Sequence, residues 1–250
     1  MTTPDPWQAL DDEVALWSAP PALWLRDDDG TGPTPALNAL LDACAGAHVP
    51  VCLAAIPAGL DDGFCPWLKQ HTAATTVVPH GYAHLNHAPA DQKKAEFGDH
   101  RAPAAISSDL VEGLSRIQAA FGPRSRPIFV PPWNRLGSTT LSSLAAAGYT
   151  ALSAKGTPEN VTGITVIDIH IDIIDWRGTR GFGGDAPILG ALCARLATLR
   201  RLGKEREPTG ILTHHAVHDP AAWAFLNTLF ARLATTARWL SIDDVMASAR

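Results

Sequence analysis

Short apolar runs rich in β-branched residues alternate along this chain with longer segments whose apolar positions recur every three or four residues. That alternation predicts strand, helix and strand in repeated order, and a mostly parallel sheet with helices packed outside it. The first run, Ala22-Leu23-Trp24-Leu25, is followed by Pro35 to Ala47, where Leu37, Leu40, Leu41 and Cys44 stand at helical spacing, and then by Val49 to Ile56, stopped by Pro57. Together they read as one βαβ unit. Further strand-like runs fall at Thr75 to Pro79, Ile128 to Val130, Thr150 to Ser153, Ile164 to Ile174 and Gly210 to Thr213. Helical patterns fill Ser108 to Phe121, Thr139 to Ala147, Pro187 to Arg201 and Ala221 to Ala237. The polar clusters of interest follow the C-terminal ends of strands, which predicts a closed or nearly closed βα barrel in preference to an open sheet.

With 250 residues and 46% hydrophobic content the chain can bury a large core, and residues 1–250 read as one domain. A net charge of −5 offers no basic field for nucleic acid, and Arg200-Arg201-Leu202-Gly203-Lys204 reads as a solvated helix end. Cys44, Cys52, Cys65 and Cys193 show no CxxC spacing, so a thiolate metal site is not expected. Met1 to Trp17 carries Asp5, Asp11, Asp12 and Glu13 and lacks a basic start followed by an apolar stretch. Neither a secretory signal nor a membrane span is predicted there, and the expected location is the cytoplasm.

Chemistry enters where the strand pattern stops. Arg26-Asp27-Asp28-Asp29-Gly30 closes the first run with three mutually repelling carboxylates that need a positive partner. Strand alternation sends Asp28 and Asp29 in different directions and so to different jobs, the plainer reading being a solvated turn with an Asp helix cap. After Thr75 to Pro79 comes His80-Gly81-Tyr82-Ala83-His84. If that stretch is helical, both imidazoles lie on one face and can meet one metal at about 2.0 to 2.1 Å. A carboxylate and two histidines can hold a divalent ion with coordination sites left open, and His87 is out of phase with the pair.

Three later segments add candidates. In Phe129-Val130-Pro131-Pro132-Trp133-Asn134-Arg135 two prolines stiffen the rim, while Trp133 offers a flat face and Asn134 an amide, which suits a sugar ring as well as a structural turn. From Ile164 to Trp176, Asp168, His170 and Asp172 share one face and Ile167, Ile169, Ile171 and Ile173 the other. This is either a wet edge strand or one that aims Asp172 or Asp175 at a catalytic histidine, with Trp176 on the pocket wall. Gly210 to Asp219 ends a short strand in His214 and His215, candidate general acids or bases. The loop with Gly178, Gly181, Gly183 and Gly184 lacks the Lys-Ser/Thr of a phosphate loop and reads as a flexible lid or linker.

In this order, from about Leu23 to His214, these segments resemble the motifs of the polysaccharide deacetylase family, the NodB homology domain of carbohydrate esterase family four. The resemblance implies an α/β fold, a distorted (β/α)7-type barrel of mostly parallel strands with outer helices. It also implies one divalent metal, most commonly zinc, and removal of N- or O-linked acetyl groups from an acetylated saccharide. The family's Asp-Asp-Gly falls on Asp28-Asp29-Gly30, implying Asp28 as catalytic base and Asp29 as metal ligand, with Asp27 and Asp28 the alternative pair. His-x-x-x-His falls on His80 and His84 as ligands, with Gly81 where the family has Ser or Thr. Arg-Pro-Pro-Tyr matches Val130-Pro131-Pro132-Trp133, so the Arg directed at the catalytic carboxylate is missing from its place and Arg26 or Arg135 is expected to supply the charge.

The fourth motif resembles Asp172-Ile173-Ile174-Asp175-Trp176, implying that Asp172 or Asp175 orients the general acid. The fifth, Leu-x-His, falls on Leu212-Thr213-His214, implying His214 as that acid with His215 as the alternative. A backbone N–H near Tyr82 is expected to stabilise the oxyanion, and Tyr82, Trp133, Asn134, Trp176 and Arg26 to surround the substrate. The departures imply a divergent branch, and the expected cytoplasmic location points to an intracellular acetylated saccharide as substrate. Two rivals are a related metal-dependent hydrolase of a non-sugar amide, such as a cyclic imide or ureide, and a non-catalytic sugar-binding relative.

Overall fold

The computed structural model describes residues 5–157 and 161–249, so the first four residues of the acidic N-terminal stretch lie outside the described residues. Its strands are β1 (Ala22–Gly30), β2 (Val51–Ala55), β3 (Thr75–Pro79), β4 (Ile128–Phe129), β5 (Ala151–Leu152), β6 (Thr165–Val166), β7 (Ile171–Asp172), β8 (Thr209–Thr213) and β9 (Arg238–Trp239). Between them run α1 (Pro6–Ala15), α2 (Pro35–Gly46), α3 (Phe64–Leu68), α4 (Pro103–Phe121), α5 (Ser138–Ser143), α6 (Asp185–Arg201), α7 (Pro220–Leu233) and α8 (Ile242–Ser248). Pro at the first helical turn of α1, α2, α4 and α7 costs no hydrogen bond there, and Asp5, Thr34 and Asp219 cap α1, α2 and α7. The elements beyond the sequence pattern are α1, α3, β9 and α8, each too short or too charged to show a clean period.

Among the described residues the strands form a distorted barrel that is not closed, in two parallel sheets ordered β3-β2-β1-β8-β7 and β4-β5-β6, with β9 beside the start of β1. Two parallel bridges, Val77 with Ser125 and His80 with Val130, join the β3 segment to the β4 segment. Across the other gap the chain itself passes from one sheet to the next: the N–H groups of Ile167 and Ile169 donate to Leu152 and Ala154 carbonyls, and those of His170 and Ile173 to Gly210 and Leu212. The single long strand expected from Ile164 to Ile174 is therefore two short ones, because its hydrogen-bond partner changes at His170. The change of neighbour also splits the isoleucine row between two cores. Ile167 and Ile169 pack with Trp24, Ala54, Val78 and Leu212, whereas Ile171 and Ile173 join the layer that holds Leu25, Leu40 and Leu192.

Alternation along β1 builds the barrel interior in layers. Leu23 and Leu25 face the outer layer of helices, and Trp24 faces the inner cluster with Cys52, Val130 and Ile242. Trp24 fits inside because its neighbour on β8 is Gly210, where a Cβ would sit 2.8 Å from the indole. Arg26 and Asp28 continue the inward row, so a barrel whose lower layer is Trp24 acquires a charged layer above it. Among the described residues no helix is long and apolar enough to cross a membrane.

Candidate metal centre and active site

At the end of β1 the pairing with β2 slips between Asp27 and Gly30, and Asp29 adopts φ +71°. The bulge turns the Asp29 carboxylate from the outer face, where alternation would send it, across to the end of β3. Its Oδ1 lies 3.2 Å from His80 Nε2 and 3.4 Å from His84 Nε2, and ligand atoms of the three residues all lie within 4.8 Å of one another. His80 Nδ1 donates to the Val130 carbonyl at 3.1 Å, which fixes the proton on that nitrogen and leaves the Nε2 lone pair facing Asp29. Asp29 Oδ1 is buried with no hydrogen-bond donor. A buried carboxylate oxygen without a partner, next to an imidazole lone pair, is what a divalent cation would satisfy, so these residues fit a metal.

Electrostatics point the same way. Burial raises the Asp29 pKa, but the adjacent His80, with His214 and His84, holds it well below the usual carboxylate range. Burial opposes a charged His80, and the carboxylates of Asp28 and Asp29 outweigh it and raise that ring. His84 is lowered by burial and then by its neighbour His80. Arg26 compensates Asp28, which leaves Asp29 as the carboxylate without a fixed cation of its own.

The stretch after Pro79, where a helix would have put both rings on one face, is an irregular loop. Gly81 has φ +60° and His84 φ +55°, and the two rings converge with centroids 5.1 Å apart because the backbone reverses. Its brace is Glu96, fully buried, whose Oε2 accepts from Tyr82 N at 3.2 Å and whose Oε1 accepts from Ala83 N at 2.7 Å. A Cβ at position 81 would stand 2.2 Å from Glu96 Oε2 and 2.6 Å from Pro132 Cγ. Gly81 and Glu96 thus form one exchange: a carboxylate from a later loop takes the space and the bonding that a hydroxyl at position 81 would use. Glu96 carries no sequence signal, since it lies in a polar stretch without a motif. It also consumes the Tyr82 N–H, so the oxyanion donor expected there is occupied.

Asp28 is held differently. Arg26 donates from Nε to Asp28 Oδ1 at 2.8 Å and from Nη2 to Oδ2 at 3.0 Å, a two-point pair with side chains 0% and 2% exposed. The remaining donors reach Ser153 O and Oγ, both at 2.9 Å, and Asn134 Oδ1 at 3.1 Å. Arg26 therefore occupies the role left open by Val130, and Arg135 does not: its Nη1 donates to Lys94 O near the surface. Trp133 and Asn134 have φ +57° and +53°. With Asp29 and His84 they make four of the six non-glycine residues in this backbone region among the described residues, strain concentrated at one place. Trp133 packs on His84 with ring centroids 4.5 Å apart.

Across the mouth, His214 Nε2 lies 3.8 Å from Asp28 Oδ2, and Trp176 meets the His214 ring edge-on at 4.7 Å. The orienting carboxylate is not where the resemblance implies. Asp172, raised by burial, accepts from Ile174 N and Trp176 Nε1, and Asp175 accepts from the amides of Arg177, Gly178 and Thr179. His214 Nδ1 is buried without a partner. The glycine loop expected to be a flexible lid or linker is tied down by Asp175 and, at Phe182 N, by Asp219. His215, the alternative acid, turns outward to Asp27. Asp27 thereby falls outside the cluster of Asp29, His80 and His84, and the pair one residue earlier has no support.

The chain has the fold of the polysaccharide deacetylases and family 4 carbohydrate esterases. A protein from Mycobacterium smegmatis described as a polysaccharide deacetylase superposes with TM-score 0.65 at 14% identity, over 94% of this chain and 92% of that one. A family 4 acetyl xylan esterase from Clostridium thermocellum, solved with a cobalt ion, gives 0.56 at 14% identity over 90% of each chain. A family 4 pseudoenzyme from Bacillus anthracis gives 0.56 at 16% identity, over 90% of this chain and 66% of its own. No protein-family model and no curated protein matches the sequence.

Proposed function

We propose that this protein is a metal-dependent hydrolase that removes acetyl groups from a saccharide. The observation that carries the reading is a division between neighbouring carboxylates: Asp29 joins His80 and His84, while Asp28 stays apart, paired with Arg26 and facing His214. Asp29, His80 and His84 would hold one divalent ion, zinc by donor type, which when bound supplies a Lewis acid for the acyl carbonyl and lowers the pKa of water.

Asp28 takes the proton of the attacking water, and the Arg26 guanidinium keeps that carboxylate fixed in the mouth of the barrel. His214 gives a proton from Nε2 to the departing amine or alkoxide. The backbone N–H of Trp133, whose ring packs on His84 and whose neighbour Asn134 meets Arg26, is the donor assigned to the oxyanion in place of Tyr82. Trp133 and Trp176, the latter 40% exposed, present flat faces to a sugar ring.

Elemental analysis of the purified protein, paired with acetate release from short acetylated saccharides, tests this. One bound divalent ion per chain and released acetate are expected. Asp29→Asn should lose the ion, and Asp28→Asn should keep it while losing turnover. The opposite pattern reverses the two roles, and a metal-free, inactive wild-type protein ends the proposal.

A further inference from the structure

His214 has no partner on its inner nitrogen, yet a general acid has to be held within a fraction of an ångström to work. The residue that is held is the next one. Asp27 Oδ1 accepts from His215 N at 2.8 Å, and Asp27 Oδ2 accepts from His215 Nδ1 at 2.6 Å, with side chains 0% and 4% exposed. Asp27 is also the register partner of Thr213, the last residue of β8. His214 is therefore suspended between two points fixed to β1: Thr213 in the sheet and His215 on the carboxylate.

We propose that Asp27 and His215 form a clamp that positions His214 for proton transfer to the leaving group. The inference rests on the hydrolase reading above. Both are positioning residues, since alternation puts Asp27 on the outer face of β1, opposite Arg26 and Asp28, and neither reaches the mouth. With the backbone on both sides of His214 fixed, only its side-chain torsions stay free, and the Trp176 ring limits those from one side. A buried ion pair is a weak source of stability compared with apolar packing of the same volume, so its use here fits geometry better than stability.

The leaving group supplies the test. When the acyl C–O bond of an aryl acetate breaks, an acidic phenol leaves as phenolate without help from an acid, whereas the amine of an acetylated amine and the alkoxide of an alkyl acetate need a proton to leave. Asp27→Asn keeps one acceptor for His215 N and loses the charged partner of the ring. We expect turnover of an acetylated amino sugar to fall about 100-fold with KM little changed, and that of an aryl acetate to fall far less. Metal content should match wild type. His215→Asn, which keeps a side-chain N–H for Asp27, should retain more of the activity than His215→Ala, and these two variants serve if Asp27→Asn does not fold.

Equal losses on both substrate classes, or loss of metal, in Asp27→Asn and His215→Ala would overturn the clamp. His214→Ala is the control for the underlying reading. If it shows no dependence on the leaving group, the assignment of His214 as acid fails, whatever the clamp variants do. If it shows that dependence and the clamp variants do not, the clamp alone fails.

Discussion

The two sides of the barrel mouth are secured in different ways. On the side of Asp29, His80 and His84, the loop is fixed through its backbone: Val130 O holds the His80 ring, and Glu96 holds the amides of Tyr82 and Ala83. On the side of Asp28 and His214, side-chain charge does the fixing, through Arg26 on Asp28 and Asp27 on His215. Backbone anchoring leaves lone pairs free to converge on one point, which a ligand set requires. Ion pairing sets distances between groups that exchange protons, and it makes that side breakable by the loss of one charge.

The largest effect should come from Arg26→Met. Truncating one member of a buried ion pair leaves the other without compensation, at a cost of about 3–5 kcal/mol. Urea unfolding should show that loss, and the double variant Arg26→Met/Asp28→Asn should recover much of it, because the stranded carboxylate is gone. A single variant that costs under about 1 kcal/mol would mean that water compensates Asp28 and that the charge-based account of this side is wrong.

A smaller effect is expected on the other side. Glu96→Gln keeps one acceptor and turns an amide NH2 toward a backbone N–H, so one of the two bonds under the His80–His84 loop is lost. Outer groups that orient metal ligands are worth about 10- to 100-fold in metal affinity. Competition with a chelator should register that drop, with the leaving-group dependence of turnover unchanged. If turnover of poor leaving groups suffers while metal affinity holds, the two sides are not separable.

How much of this contrast is legible in the sequence depends on the residue. Asp28, Asp29, His80, His84 and His214 stand at strand ends in motif order, and strand period alone sends Asp28 and Asp29 apart. Arg26 is legible as well, because three adjacent carboxylates call for a cation. Glu96, Ser153 and the outward turn of His215 are not, since they act across 14, 127 and 188 positions of sequence, where no local period reports contact. The role expected of Asp175 is misplaced for the opposite reason. Its proximity in sequence to Trp176 suggests the site, yet its carboxylate is used by three nearby backbone amides on its C-terminal side.

The smallest effect concerns acid. The loop from His214 to His218 carries three imidazoles, and His218, whose Nε2 bonds Thr213 Oγ1, is lowered to about 4 by burial first and then by the neighbouring His215 and His214, with Asp219 opposing. Because its folded pKa lies below the unfolded value, the unfolded chain binds the extra proton between about pH 6.5 and 4. The contribution of this site is complete above the unfolded pKa and is lost as pH falls, by about 2 kcal/mol at pH 5. His218→Gln keeps a polar atom for Thr213 and cannot be charged. Urea midpoints at pH 7 and pH 5 should differ less in this variant than in wild type by that amount, with His170, also lowered to about 4 by burial, contributing equally to both proteins. An unchanged difference would place the acid sensitivity away from this loop and remove pH from the contrast between the two sides.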